Sequence, residues 1–351
     1  MKNRSYFFIW VVITGILFQA CKSEEAPVPE PEVLKPTAAF TYEQVEENDP
    51  FTFKFENLSE NYEVVRWEFG DDSSSLEISP THTFLKTGEF RVKMNTQNSQ
   101  GYWAQKEVMI DISPDSVLII NTESLGDGTL NLSLSSNIET DSLFWYKGTG
   151  TGAELIHQGD VANIEVESGQ FQDYTLRIKT PKGSVAEISK LLTDIGIVRD
   201  VTEFGNLSVS RDNNGGAEAG EGSLKLTDNN VNTKFLQFDY AGDLWFQLEY
   251  FQPQVIGAYT FTSANDASQR DPKNWTLQAS NDGEDWVVLD TQTDQVFEDR
   301  FMTRIFTIDN TDAYLFYRVY VTSVGSGGLF QLAEWRVLQL PQENLEAQES
   351  Q

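Results

Sequence analysis

The sequence predicts an all-β chain: several antiparallel sandwiches in series. Three observations lead there. Apolar residues recur with period 2 in short runs along most of the chain, as a half-buried strand requires. The runs are separated by Gly, Asn and Asp clusters, which favour turns. Hydrophobic residues at 39% and aromatics at 12% suffice for packed cores. At about 150 residues per domain, 351 residues make two or three domains. Composition also excludes. One Cys allows no disulfide framework, and two His with one Cys leave little for a zinc site. With 25 Lys+Arg against 54 Asp+Glu, the net charge of −29 argues against a nucleic-acid partner.

The N-terminus reads as an export signal over residues 1–20. Lys2 and Arg4 precede an apolar run from Tyr6 to Phe18, shorter than the about 20 residues of a comfortable membrane span. Leu17-Phe18-Gln19-Ala20-Cys21 resembles the lipobox of bacterial lipoproteins, with Phe18 and Gln19 departing from its usual residues. The alternative is an incidental cysteine in a secreted protein. The resemblance implies lipidation of Cys21 and anchorage in the outer membrane. Lys22-Ser23-Glu24-Glu25 is similar to the acidic tag that sends such lipoproteins to the cell exterior, and otherwise reads as a solvated spacer. Pro27, Pro29, Pro31 and Pro36 make residues 21–36 a semi-rigid linker.

Residues 37–114 alternate at Phe51, Phe53, Phe55 and at Phe90, Val92, Met94. Trp67-Glu68-Phe69-Gly70-Asp71-Asp72, then Pro80-Thr81-His82-Thr83-Phe84, resembles the PKD (polycystic-kidney-disease-type) domain, an Ig-like spacer. Glu68 and Asp72 depart from its motif. Trp67 and Phe69 are expected in the core, Asp71 and Asp72 in turn chemistry, and His82 in a structural role.

Residues 115–197 read as a second Ig-like domain, with Leu130, Leu132, Leu134 and Tyr174, Leu176, Ile178 in register. The spacing of Ile188, Leu191, Leu192 and Ile195 fits a short helix or a final strand equally. Gly148-Thr149-Gly150-Thr151-Gly152 reads as a hairpin loop, since it lacks the GxGxxG spacing of a phosphate loop. Trp145 and Tyr146 are core residues or a sugar platform.

Residues 198–340 alternate at Trp275, Leu277, Ala279 and at Tyr317, Val319, Val321. Ser223–Asp228, Asn232–Phe235, Arg270–Trp275, Ser280–Gly283, Trp286 and Ala333-Glu334 together resemble the coagulation factor five/eight type C (discoidin-like) domain. That family shares its jelly-roll sandwich with family 32 carbohydrate-binding modules. The resemblance implies one structural calcium, held by backbone carbonyls of Lys225, Asn230 and Ala333 and side-chain oxygens of Asp228, Thr233 and Glu334. Calcium takes about six to eight oxygens, and Asp, Asn and Thr at i, i+2 and i+5 can wrap it. The plain alternative is hydrogen bonding within a loop. Sugar-binding relatives use loops at one end of the jelly roll. The Arg that many galactose binders place near Ser263–Asp266 is absent here. Asn265, Asp266 and Arg270 are the polar candidates for ligand contact, and Phe297, Phe301 and Phe330 the aromatic ones, with Phe330 chosen as the platform. Otherwise Arg270 pairs with Asp271 and fixes the loop, and the rings are core. Residues 341–351 read as a disordered acidic tail.

No HExxH, GxSxG or P-loop occurs, and 54 acids put carboxylate pairs everywhere, so spacing nominates no catalytic pair. The sequence therefore predicts a non-catalytic surface lipoprotein that captures polysaccharide for an outer-membrane uptake complex. The acid excess favours neutral glycans. The competing expectations are an adhesin or scaffold whose last domain binds a protein, or a domain that only packs within a larger complex.

Overall fold

The computed structural model describes residues 34–341 except 127; the export signal, Cys21 and the acidic tail lie outside the described residues. Every strand pairing in the three units is antiparallel. The first unit pairs a three-stranded sheet (Phe40–Glu46, Asp49–Asn57, Thr81–Thr83) with a four-stranded one (Ser74–Ser75, Val64–Glu68, Gly88–Gln97, Trp103–Ile112). Phe51, Phe55, Trp67, Phe69 and Phe90 fill the space between them. The tight turn after Phe69 needs Gly70. Its φ is +84°, and an added Cβ would lie 2.7 Å from the backbone nitrogen of Arg91.

A one-turn helix, Pro114–Val117, leads into the second unit, with the Ser113 hydroxyl accepting from the Ser116 N–H. Here a five-stranded sheet (Glu154–Gln158, Ser142–Lys147, Gln172–Lys179, Val185–Thr193, Gly196–Ile197) faces a three-stranded one (Val161–Glu165, Thr129–Leu134, Ile120–Gly126). The ambiguous Ile188–Leu192 stretch is a strand, burying Ile188 and Leu192. Trp145 is fully buried and donates from Nε1 to the Gly159 carbonyl. Residues 148–152 close the hairpin between two strands of the larger sheet.

The first two units share one continuous apolar core. At their junction Lys86 and Val185 form a parallel β-bridge, and Val185 N–H donates to the Leu85 carbonyl. Ser184 Oγ donates to the Phe84 carbonyl at 2.8 Å, and Lys182 Nζ to Asp49 Oδ2 at 2.6 Å.

The third unit is the jelly-roll sandwich. One sheet orders Gly205–Val209, Leu244–Val255, Ala313–Val324, Pro272–Ser280 and Val287–Gln292; the other orders Arg199–Asp200, Glu334–Gln339, Ala258–Thr262 and Thr303–Thr307. Phe235–Gln237 pairs with Phe330–Leu332 to close one end. Its core is aromatic: Phe246, Phe261, Trp275, Tyr317 and Trp335 are all buried. Two polar tips are satisfied in series, with Trp275 Nε1 donating to Tyr259 Oη at 2.8 Å and Tyr259 Oη to Asp290 Oδ2 at 2.6 Å, whereas Trp335 Nε1 is buried without a hydrogen-bond partner among the described residues. A small apolar cluster around Val198, Ala258 and Leu338, with the Val198 N–H donating to the Leu191 carbonyl, joins this unit to the second. Beside it opens a cleft of about 980 Å³ lined by Lys190, Arg199, Asp200, Phe204, Asn229 and Arg336, among others.

Candidate functional site

Two places in the third unit carry chemistry. The first is the loop that follows Leu226. Asp228 Oδ1 accepts the Asn230 N–H at 3.1 Å, and the Thr233 hydroxyl donates to both Asp228 oxygens at 3.0 and 2.9 Å. Strand pairing of Glu334–Gln339 with Ala258–Thr262 carries Glu334 to the same loop, where Oε1 accepts the Asn230 N–H at 2.7 Å. Two chain segments 104 residues apart thus meet through a carboxylate.

Glu334 is 3% exposed, and its Oε2 is buried without a hydrogen bond. Arg336 Nη2 stands 3.1 Å away but also lacks hydrogen-bond geometry. Burial, with the Asp228 carboxylate nearby, pushes the Glu334 carboxyl up to about 7. Asp228 is held below its usual value: burial works against the charge but is outweighed by hydrogen bonds, first with the Glu334 carboxyl and then from Thr233 and Lys225. A buried carboxyl with an orphan oxygen beside a second carboxyl is an arrangement that a hard cation relieves. The residues fit calcium. Among the described residues no cluster of three or more His, Cys, Asp or Glu is poised for a metal. The cradle therefore depends on the Thr233 hydroxyl and on backbone carbonyls to complete the shell. Lys225 Nζ, 3.2 Å from Asp228 Oδ2, occupies part of the field that an ion would neutralise.

The second place is the loop end of the sandwich. Lys234, only 9% exposed, donates from Nζ to Asn265 Oδ1 at 3.1 Å and Asp266 Oδ1 at 2.7 Å. This ion pair holds the Asp266 carboxyl below its usual range. Gln331 is fully buried and donates to the Asp266 and Ala267 carbonyls. Asn265 and Asp266 are therefore engaged from within the fold.

The expected Arg270–Asp271 pair is not formed. Asp271 turns inward and takes a bidentate contact from Arg300, at 3.0 and 2.5 Å. Burial pushes the Asp271 carboxyl up even so. Arg270 stays half-buried, with no hydrogen-bond partner for its guanidinium among the described residues. Phe330 is corrected as a platform: its relative exposure is 0%, and it packs against Phe235, Tyr240 and Phe246. Phe297 is buried too, under the Arg304 guanidinium. Phe301 remains exposed at 44%, in left-handed backbone at φ +58°, a conformation that costs a bulky residue energy and marks places under functional demand.

A recess of about 430 Å³ lies beside these loops, lined by residues including Ser268, Gln269, Lys273, Val296, Glu298 and Ser326. The side chains of Ser268, Gln269, Glu298 and Ser326 make no hydrogen bond among the described residues. They are free donors and acceptors of the kind sugar hydroxyls require. Sequence reasoning missed them, because none stands out by type or spacing.

The remaining candidates lie in the first two units. Asp71 Oδ2 and His82 Nε2 are 2.8 Å apart, and the His82 ring stacks on Phe69 at 4.0 Å. Asp72 takes the turn at φ +67°. Tyr146 lies under the Arg177 guanidinium.

Residues 33–112 match the PKD domain family. Over 60 residues the chain is 53% identical to the peptide-N(4)-(N-acetyl-beta-glucosaminyl)asparagine amidase of Arabidopsis thaliana; this covers 17% of the chain and 8% of that relative. Three solved structures are similar at about two-fifths of the chain. A family 32 module of Clostridium perfringens in complex with GalNAc-beta-1,3-galactose is 15% identical, covering 40% of this chain and 99% of that one, at TM-score 0.35. The family 32 module of NanJ from C. perfringens, in complex with galactose, is 14% identical over 41% and 100%, at TM-score 0.34. An F5/8 type C domain from Bacteroides fragilis is 16% identical over 41% and 98%, at TM-score 0.37. The PKD match spans the segment in which the sequence carries that family's motif.

Proposed function

We propose that this chain is a non-catalytic, lipid-anchored surface protein whose third unit captures neutral oligosaccharide. The observation that carries the reading is the loop-end recess. Unengaged Ser268, Gln269, Glu298 and Ser326 line it, and the loop that forms its wall also presents the exposed Phe301 ring. Hydroxyl donors and acceptors are what a pyranose needs in a recess, and an exposed ring on the same loop is available to its apolar face. Val296, 64% exposed, adds apolar surface. Calcium in the Asp228–Thr233–Glu334 cradle would lock the first loop to the last strand and so hold the sandwich rigid. The first two units then serve as a spacer, and the anchor at Cys21 places the assembly at the outer membrane beside an uptake system. Single-site affinity is expected to be weak, at a dissociation constant of about 1 mM, or about −4 kcal/mol. Many copies on one membrane would compensate by avidity.

The soluble chain, with residues 1–21 removed, is to be run on a neutral-glycan array. Gln269→Ala and Phe301→Ala are expected to lose most of the bound signal, and Asn265→Ala to keep it. An array with no bound glycan would discard the reading and favour a protein partner.

A further inference from the structure

One face of the third unit is chemically unlike an ordinary solvated sheet. In strand Leu244–Val255, Leu244, Phe246 and Leu248 point into the core, so Trp245, Gln247 and Glu249 point outward. In strand Ala313–Val324, Tyr317, Val319 and Val321 are inside, and Phe316, Arg318 and Tyr320 are outside. A sheet face turned to water is normally polar. Register sets Trp245 opposite Tyr320 and Gln247 opposite Arg318, with Gln278 on the far side of Arg318. Trp286, from the loop before Val287–Gln292, leans over the same spot. Four half-exposed rings therefore share this face, and two of them, Trp245 and Trp286, flank one guanidinium.

That guanidinium is held flat. Its carbon lies 3.7 Å from the Trp286 ring centroid and 4.4 Å from that of Trp245, with cation–π attraction on both sides. Gln247 Oε1 accepts from Nε at 2.9 Å and from Nη2 at 2.7 Å, which fixes the in-plane rotation. No carboxylate comes within 4 Å of it among the described residues, although the chain carries 54 Asp and Glu. Glu249, diagonal to it across the pairing, does not close on it. Among the described residues Nη1 has no hydrogen-bond partner either. Burial works against the charge, and no carboxylate among the described residues offsets it. A planar, oriented fork with its counter-charge missing matches an oxyanion.

We infer that this sheet face is a second saccharide-binding site, separate from the loop-end recess, and that it takes a pyranose bearing an oxyanion, either a uronate carboxylate or a sulfate ester. Arg318 supplies the fork, Gln247 sets its orientation, and Trp245, Trp286 and Tyr320 offer ring surface to the sugar. The overall charge of −29 does not forbid this, since exposed charges are screened beyond about 8–10 Å and the local fork decides.

Calorimetry on the soluble chain distinguishes the two oxyanions, using trigalacturonate, a sulfated galactotetraose and unsulfated galactotetraose as the control. At least one anionic probe is expected to bind at low salt and to weaken about tenfold or more at high salt. Arg318→Gln is expected to abolish this. Gln247→Glu is the cleaner variant, because it gives Arg318 an internal carboxylate partner without opening the core. It should abolish anionic binding while the thermal transition stays in place. Gln269→Ala, at the loop end, should leave anionic binding intact whether or not neutral sugars bind there. Failure of both anionic probes to bind overturns the inference, as does full binding by Gln247→Glu. So does anionic binding that falls with Gln269→Ala and persists in Gln247→Glu.

Discussion

The two junctions between units are built differently. Between the first and second, a β-bridge, hydrogen bonds to the Phe84, Leu85 and Asn48 carbonyls and a shared apolar core make the sandwiches one body. Between the second and third, a three-residue buried cluster sits beside a charged cleft of about 980 Å³. Main-chain bonds and contiguous core couple the stability of neighbours; a small contact flanked by solvent leaves them independent. The difference teaches that three sandwiches in series make two cooperative units.

Phe84→Ala tests this most severely. Its ring is fully buried, stacked at 4.2 Å on Phe90, and its carbonyl receives Ser184 Oγ. Truncation should cost about 3–5 kcal/mol. In calorimetry the transition of both N-terminal units should move together while the third stays fixed. Two separately moving N-terminal transitions would break the comparison.

Calcium should act only across the second junction. Ion at a hundredfold excess over its dissociation constant adds about 2.7 kcal/mol to the third unit alone. EDTA or Asp228→Ala should erase the shift. The pH dependence follows from Glu334, whose carboxyl rises from 4.5 to about 7 on folding. The folded state then holds the proton more tightly. Without calcium, the third unit is expected to be most stable on the acid side and to weaken as pH rises from 4.5 to about 7. With calcium the proton competes with the ion, so affinity should fall as pH drops below about 7. A melting temperature indifferent to EDTA at pH 8 would remove calcium from the account.

Lys182→Met sharpens the first junction. The Lys182 side chain is 47% exposed, so the loss should be about 1 kcal/mol or less. Burial opposes the charge on Asp49, but hydrogen bonds from Lys182, Thr52 and the Phe51 N–H hold the carboxyl below 3.8. Its stabilisation is present above that value and is lost as pH falls through the lowered one. In acid titration followed by fluorescence, the variant should lose its N-terminal structure at higher pH than the parent. Lys190→Ala, which removes an exposed pair with Asp115, should change stability by less than about 0.5 kcal/mol.

The strands were legible because each has one wet and one dry face, which writes period 2 into the chain. The meeting of Asp228, Thr233 and Glu334 was legible through motif resemblance, and the sheet then brings them together. The loop end was not. Phe330 follows a Ser-Gly-Gly run that reads as loop, yet it begins a short strand whose ring points inward against Phe235. Arg270 and Asp271 are neighbours in sequence, but the 3-10 turn Ser268–Arg270 sends one outward and the other in, so Asp271 finds Arg300 instead. Arg318 was invisible, because its two tryptophans come from strands and loops 32 and more residues away.

Lys234 sits at the centre of that loop end with its amine pinned by Asn265, Asp266 and Gln331. An acylating reagent that marks exposed lysines within minutes should reach this one only when the surrounding loops part. Its labelling rate, read by mass spectrometry, would then serve as a clock for how often that end of the molecule breathes.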